Sequence, residues 1–322
     1  MLDTLIIGQG LAGSLLAIKL LSQGQRIKVI DDNHKTSSTK VAAGVMNPIT
    51  GKRLVKLWPS KEHESFVIEY YHAIEKELGA KLLKCHRLVR FLEDTTTYEK
   101  RLKDPAYQPI MKPCDPEEFR PICHVGSAQF SCFPVYQVDT QMLLLSAKTY
   151  LQKNEAYIQD NFFYRDLEVS QTGVSWKAYN AKKAVFCEGA RGCQNPYFKH
   201  LEFENAMGEI LEIACNGLPE NTILNNGKWL CPTGVNQFKY GATSYWKASK
   251  QASIDSEAFL QRTLGQFLKK PFVLKKVHHG VRPVLKSRTP FSGWHPELPI
   301  GMVNGFGGQG VSLAPRIIHS FL

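Results

Sequence analysis

The spacing of apolar positions changes period twice within the first thirty residues. Thr4 to Ile7 is a short, nearly continuous apolar run, which suits a strand buried on both faces. From Leu11 to Gln23 the residues Leu11, Leu15, Ile18 and Leu21 recur at helical spacing, and Gly24 supplies a stop. Ile27 to Ile30 is again a short apolar run. Residues 4–31 therefore predict strand, turn, helix, strand. Helical patterning returns over His63–Leu78 and Thr140–Gln152. Between Phe162 and Phe186 the pattern predicts a meander that ends in the apolar strand Ala184-Val185-Phe186. Further strands are expected at Glu209–Ile213, Lys228–Cys231 and Phe238–Thr243, separated by Gly, Pro and Asn. Residues 80–135 contain six prolines (105, 109, 113, 116, 121 and 134) and support only strands and loops. No repeat, low-complexity tract or Gly/Ser linker interrupts the chain, so its domains are expected to interleave.

The turn between the first strand and helix reads Gly8-Gln9-Gly10-Leu11-Ala12-Gly13. That is the dinucleotide fingerprint in the context it needs. Gly8 permits the tight turn, Gly10 lets backbone approach a pyrophosphate, and Gly13 lets the helix pack close to the strand. The helix N-terminus offers N–H groups and a partial positive charge to phosphates. Asp31 ends the second strand, where a carboxylate can accept from both ribose hydroxyls, with Asp32 as its neighbour. Small residues from Thr36 to Pro48 leave room for a flat ring and a pyrophosphate. A second glycine cluster, Gly305 to Gly310, opens an apolar C-terminal helix and forms another site for an anion or dipole.

Length and composition narrow the class. With 322 residues, 43% hydrophobic and 21% charged, the chain fits two domains of an ordinary globular protein. No run of 18 apolar residues occurs, so no membrane span is expected. The first strand begins almost at Met1, which leaves no room for a leader and makes a cytoplasmic location the default. The eight cysteines include no Cys-x-x-Cys pair, so no metal site is expected and the thiols read as reduced and structural. The net charge of +11 is uneven. No acid interrupts Lys35, Lys40, Lys52, Arg53, Lys56 and Lys61. None interrupts the basic run from Arg262 through Lys269, Lys270, Lys275, Lys276, Arg282 and Lys286 to Arg288. Such stretches favour phosphates, anionic substrates or nucleic acid, or are solvated basic faces.

Together the opening fingerprint, Ala42-Ala43-Gly44, Gly280-Val281-Arg282-Pro283 and Gly305 to Pro315 resemble the D-amino-acid oxidase superfamily of FAD enzymes, in its glycine oxidase and monomeric sarcosine oxidase branch. The resemblance implies an α/β fold: a glutathione-reductase-like, FAD-binding Rossmann domain with an inserted, β-rich α+β substrate domain. The first is expected over residues 1–80, 136–197 and 276–322, the second over 81–135 and 198–275. FAD would be held by Gly8, Gly10, Leu11, Ala12 and Gly13, by Asp31 and Asp32, and by Ser38 with Ala42, Ala43 and Gly44. The backbone of Leu167 would meet the adenine, and Gly189 would follow the third nucleotide-facing strand, where Glu188 replaces a usual small residue. Gly307, Gly308, Gln309, Gly310 and Val311 would complete the site. Several members of the superfamily attach flavin through a cysteine near the Gly-x-Arg-Pro segment. No cysteine follows Cys231 here, so dissociable FAD is expected.

The same resemblance implies oxidation of a small amine or amino acid by hydride transfer to flavin N5. Arg282 is the expected carboxylate anchor, because a planar, permanently charged fork fixes orientation as well as affinity. Lys239 sits where sarcosine oxidase places a lysine near the flavin to assist oxygen, although an ordinary solvated strand lysine is the plainer reading. Trp229, Tyr240, Tyr245 and Trp246 are candidates for a pocket wall or for plain core. His278 and His279 precede Arg282, but hydride transfer from a neutral amine needs no base. The family's C-terminal loop often carries a cation where Gly307, Gly308 and Gln309 stand here. Two other functions are open at this point: a tRNA-modifying flavoenzyme acting on a carboxymethylaminomethyl-type uridine, with the basic stretches guiding phosphates, and a flavin-binding protein without turnover.

Overall fold

The computed structural model describes residues 1–35, 37–58, 61–246 and 250–322. Thr36, which opens the small-residue segment, lies outside the described residues. The strand Leu2–Ile7 lies inside the first of two large sheets, parallel to Ile27–Asp31 on one side and Tyr179–Phe186 on the other. Tyr157–Gln159 and Ile300–Asn304 extend this parallel core outward. The meander expected after Phe162 is present as Leu167–Ser170 and Gly173–Trp176, running antiparallel into Tyr179–Phe186.

Burial explains the uninterrupted apolar run of the first strand. Ile6 packs with Leu15, Leu16 and Ile18 of the helix Leu11–Ser22, and with residues of the helices Lys61–Leu78, Thr140–Lys153 and Gly310–Phe321. Leu5 and Ile7 belong to a different cluster, with Phe162, Trp176, Phe186 and Phe198. Successive residues of a strand point to opposite faces, so a sheet covered on both needs no polar alternation.

The second sheet has nine strands. Its order is Val273–Arg282, Ala206–Ala214, Gln237–Gly241, Trp229–Gly234, Thr222–Asn225, Leu83–Leu92, Ala128–Val138 and Val45–Met46, with Lys112–Pro113 beside Ala128–Val138. The helix Lys250–Phe267 closes one side through Leu260, Leu264 and Phe267. These positions follow i, i+4, i+7 spacing, a helical signal the sequence reading passed over.

Two expected domain boundaries fall inside strands. Ala128–Val138 runs past residue 135 and Val273–Arg282 runs past 275, and both belong to the second sheet along their whole length. The extended strands matter for the site. Pairing of Ala206 with Arg282 through to Ala214 with Val273 means that the second sheet, not the nucleotide-binding part, carries Arg282. Lys275, Lys276, His278 and His279 give this half-exposed strand little apolar signal, so its full length is not legible in the sequence.

Candidate cofactor and substrate site

A cavity of ≈ 810 Å³ lies between the two sheets, within the range of sites that hold small molecules and cofactors. Its nucleotide-like end is built by glycines. Gly8 has φ +97°, and a Cβ there would stand 2.5 Å from the Cys187 carbonyl oxygen. A Cβ on Gly13 would stand 1.8 Å from the Gly8 carbonyl oxygen. Gly13 thus sets helix-to-strand packing and does not itself line the cavity. Gly10 faces open space, with only the Ser37 and Thr39 hydroxyls near, at 3.8 Å. Gly310, which begins the C-terminal helix, packs so close to Leu11 that a Cβ would meet its Cδ2 at 2.9 Å. Two helix N-termini therefore open side by side on one cavity, each adding partial positive charge.

The other expected contacts divide. Gly8, Gly10, Leu11, Ala12, Asp31, Asp32, Ser38, Ala42, Ala43, Gly44 and Gly189 line the cavity. So do Gly307, Gly308, Gln309, Gly310, Val311 and Arg282. Leu167 and Lys239 do not. Leu167 is packed in the core with Trp176 and Phe186, and Asp160 and Phe162, earlier in the same segment, reach the cavity instead. The register of this turn could not be read from a short meander without its pairing.

Lys239 is buried, and its Nζ lies 3.4 Å from both the Val41 and Ala42 carbonyl oxygens. Thr140 Oγ1 donates to the same Ala42 oxygen (3.0 Å), Gln137 Nε2 to Ala43 (2.9 Å) and Val138 N to Gly44 (2.9 Å). Lys239 is thus not a solvated strand lysine: with Gln137, Val138 and Thr140 it holds the Val41–Gly44 loop from the side away from the cavity. Burial lowers its pKa, while Glu212, Cys231 and Asp139 act against that.

Asp31 accepts from the backbone N–H groups of Gln9 and His34, both at 2.8 Å. It braces the glycine turn while keeping a place on the cavity wall. Gln9 is fully buried; its Nε2 donates to the Leu144 carbonyl (3.0 Å) and its Oε1 pairs with His34 Nε2 (2.8 Å). Burial lowers the His34 pKa, against the nearby Asp31 charge. Asn304, also buried, donates to the Gly189 carbonyl (2.9 Å) and accepts from Gly305 N (2.8 Å), tying two glycine turns together. Arg191 lies 3.5 Å from Asp32 Oδ2 and from the Phe162 carbonyl oxygen, at the same end of the cavity. None of Gln9, His34, Asn304 and Arg191 was singled out from sequence. Most of their partners are far away in the chain; only Gln9, inside the glycine turn, and Asn304, directly before the glycine cluster, carried a local hint.

Glu188 lines the cavity, and its carboxylate accepts from Tyr164 Oη (2.7 Å) and Asn195 Nδ2 (2.9 Å). Burial raises its pKa, and the two hydrogen bonds and Arg191 offset this in part.

The second sheet supplies the opposite end. Leu88, Ile210, Asn225, Trp229, Thr243 and Arg282 line it, and Trp246 and Arg288 stand at its edge, 4.5 Å apart. Of the four expected aromatics, Trp229 and Trp246 reach the cavity; Tyr240 is core, and Tyr245 donates to Glu209. His278 and His279 are turned towards Glu212 and Glu209 and do not line it. Among the described residues, every acid and histidine on the cavity wall (Asp31, Asp32, His34, Asp160 and Glu188) comes from the first sheet and its loops. The charged groups that the second sheet and the turn following it contribute are Arg282 and Arg288. Arg288 is paired with Glu204 at 2.8 Å. Arg282 Nη1 donates to the Thr243 carbonyl oxygen at 3.1 Å, and among the described residues no carboxylate lies within ion-pair distance of it.

Residues 3–317 match the profile of the FAD dependent oxidoreductase family. The chain belongs to this family. Solved structures with the same fold include glycine oxidase from Bacillus cereus, 18% identical, covering 100% of this chain and 96% of that one with a TM-score of 0.79. Iminodiacetate oxidase from a Chelativorans species is 16% identical, covering 99% and 94%, with a TM-score of 0.77. L-alpha-glycerophosphate oxidase from Mycoplasma pneumoniae, solved with FAD bound, is 14% identical, covering 99% and 93%, with a TM-score of 0.79. The protein is thus an FAD-dependent oxidoreductase with a Rossmann-like part and a β-rich part. Among the described residues no helix is long and apolar enough to cross a membrane.

Proposed function

We propose that this oxidoreductase oxidises the C–N bond of a small amine that carries a carboxylate. Arg282 carries the proposal. Its guanidinium lines the cavity and is held by one backbone carbonyl; among the described residues no carboxylate lies within ion-pair distance of it, and the charge of the buried Glu209 reaches it only at longer range. Such a group is suited to a bidentate pair with a substrate carboxylate. Family relatives of the same fold, glycine oxidase and iminodiacetate oxidase, are named for substrates of this kind, whereas nothing in the comparisons favours a tRNA substrate or a protein without turnover.

FAD fits the other end. Adenosine would lie by Asp31, Asp32, Phe162 and Arg191, and the pyrophosphate over Gly10 and the paired helix N-termini. The flavin ring would lie against the Ala42-Ala43-Gly44 loop, which is fastened from behind. When bound, FAD supplies the hydride acceptor. Arg282 holds the substrate carboxylate, and Trp229, Leu88 and Ile210 exclude water around the carbon that is oxidised. The amine must arrive neutral, and among the described residues this end of the cavity presents two arginines and no acid that would hold it protonated. Non-covalent attachment of FAD is part of this reading. Cys187 is the one cysteine on the wall among the described residues, and burial raises its pKa well above the ordinary thiol value, which disfavours the nucleophilic thiolate.

The test is the visible spectrum of the anaerobic protein mixed in turn with glycine, sarcosine, iminodiacetate and D-alanine, and with methylamine, which has no carboxylate. Bleaching of the oxidised flavin band by at least one carboxylated amine, but not by methylamine, is expected. Equal bleaching by methylamine would remove Arg282 from its role, and no bleaching by any amine would overturn the reading.

A further inference from the structure

The strand Ala206–Ala214 runs along the substrate end with Gly208 and Ile210 on the cavity wall. Glu209, between them, points away and is fully buried. It has an unusual density of partners. Its Oε2 accepts from Thr243 Oγ1 (2.9 Å), and its Oε1 accepts from Tyr245 Oη (2.6 Å) and Ser253 Oγ (2.9 Å), with His279 Nδ1 at 3.3 Å. Its backbone is tied to the same threonine: Glu209 N donates to Thr243 Oγ1 (2.8 Å), and Thr243 N donates to the Glu209 carbonyl (3.2 Å). Thr243 is thus pinned to Glu209 at three points. The Thr243 carbonyl oxygen is the acceptor that holds Arg282 Nη1. Space around this contact is tight, since a Cβ on Gly208 would stand 2.1 Å from that oxygen and 2.9 Å from Nη1.

We infer that Glu209 is a positioning residue for substrate: through Thr243 it fixes the guanidinium of Arg282 in the orientation that receives a carboxylate. The inference rests on the role proposed for Arg282 above. The carboxylate of Glu209 is also suited to the task as an anion. Burial pushes its pKa up, but hydroxyls of Ser256, Tyr245, Ser253 and Thr243 outweigh this and hold it below the usual carboxylate range. An anion that accepts from every neighbour fixes each hydroxyl as a donor, so the Thr243 side chain has one orientation. The helix Lys250–Phe267 is clamped to the cavity wall by the same group, through Ser253 and Ser256.

The experiment uses the FAD-loaded protein and two small carboxylates, acetate and benzoate, as probes whose binding is read from the shift they cause in the flavin spectrum. Four variants are compared: Glu209→Gln, Thr243→Val, Thr243→Ser and Arg282→Ala, with the double variant Glu209→Gln/Arg282→Ala. Glu209→Gln and Thr243→Val are expected to weaken the probes about tenfold, and Thr243→Ser, which keeps the hydroxyl, to leave them nearly unchanged. In amine turnover the same two variants should raise KM and change kcat little, while FAD affinity stays at the parent value. The decisive comparison is the double variant. If Glu209 acts through Arg282, adding Glu209→Gln to Arg282→Ala costs no further probe affinity. Full additivity would overturn the inference, as would an effect of Arg282→Ala with none of Glu209→Gln or Thr243→Val. Absence of any effect from Arg282→Ala would sink the carboxylate anchor itself, and the two failures are thereby distinguished.

Discussion

The two ends of the cavity solve the problem of precision differently. At the nucleotide-like end, shape is set by backbone: Gly8 and Gly13 let strand, turn and helix approach closer than any side chain allows, and helix N-termini supply the charge. At the substrate end, shape is set by side chains. Glu209, Thr243 and Arg282 come from three strands or their ends and hold one another by hydrogen bonds. The contrast extends to two carboxylates, one on the cavity wall and one buried behind it. Glu188, on the first part, has two neutral donors and its pKa is raised; Glu209, on the second, has several hydroxyl donors and its pKa is lowered. Burial raises both pKa values; the hydrogen bonds to Glu209 outweigh it, whereas those to Glu188, even with Arg191, do not.

The comparison breaks most sharply at Gly13. Gly13→Val would place a branched side chain where even a Cβ overlaps the Gly8 carbonyl. We expect a loss of about 3 kcal/mol or more of stability and no measurable FAD binding, read from denaturant unfolding and flavin fluorescence. Near-parental FAD affinity would show that the turn has more freedom than its geometry implies. Next in size is Arg282→Lys. It should leave FAD binding intact and lower kcat/KM for a carboxylated amine about 100-fold, because a point charge replaces a planar fork. Unchanged kcat/KM would end the carboxylate assignment.

Lys239→Met sharpens the boundary between the two ends. Lys239 belongs to the second sheet but fastens the loop expected to face the flavin. Its removal strips donors from two carbonyls, so stability should fall by about 1–2 kcal/mol and FAD dissociation should quicken. Reoxidation of reduced flavin by oxygen, followed by rapid mixing, should keep its rate. A large fall in that rate with unchanged FAD affinity would restore the lysine to the flavin face.

The smallest effects are those of pH on the two carboxylates. The folded pKa of Glu209 lies below its unfolded value of about 4.3, so its stabilisation is present above that pH and is lost as pH falls through the folded pKa. The folded pKa of Glu188 lies above its unfolded value, so its contribution is complete below about pH 4.3 and is lost as pH rises through the folded pKa. Because Gln mimics the neutral acid, melting temperatures should bring the parent close to both variants at acid pH, and as pH rises carry it above Glu209→Gln and below Glu188→Gln. Parallel curves for all three proteins would show that neither carboxylate changes its pKa on folding.

What the sequence determined by itself was the nucleotide-binding half of the protein. The strand–turn–helix–strand of residues 2–31, the glycines at 8, 10 and 13, Asp31 and the C-terminal glycine cluster are local patterns, because close backbone approach imposes a residue type at each place along a short stretch. Arg282 was legible for a related reason, as part of a four-residue motif. Only the tertiary structure decided the rest. It put Lys239 behind a loop instead of on the cavity wall, set Leu167 in the core and brought Phe162 to the cavity, and carried strands past the expected boundaries at 135 and 275. It also joined Glu209 to Thr243 across 34 positions and Thr243 to Arg282 across 39. These outcomes depend on strand pairing and register, and a one-residue change of register sends a side chain to the opposite face. A glycine carries its constraint in its own backbone, whereas a lysine or glutamate acquires its role from whichever strand is laid beside it.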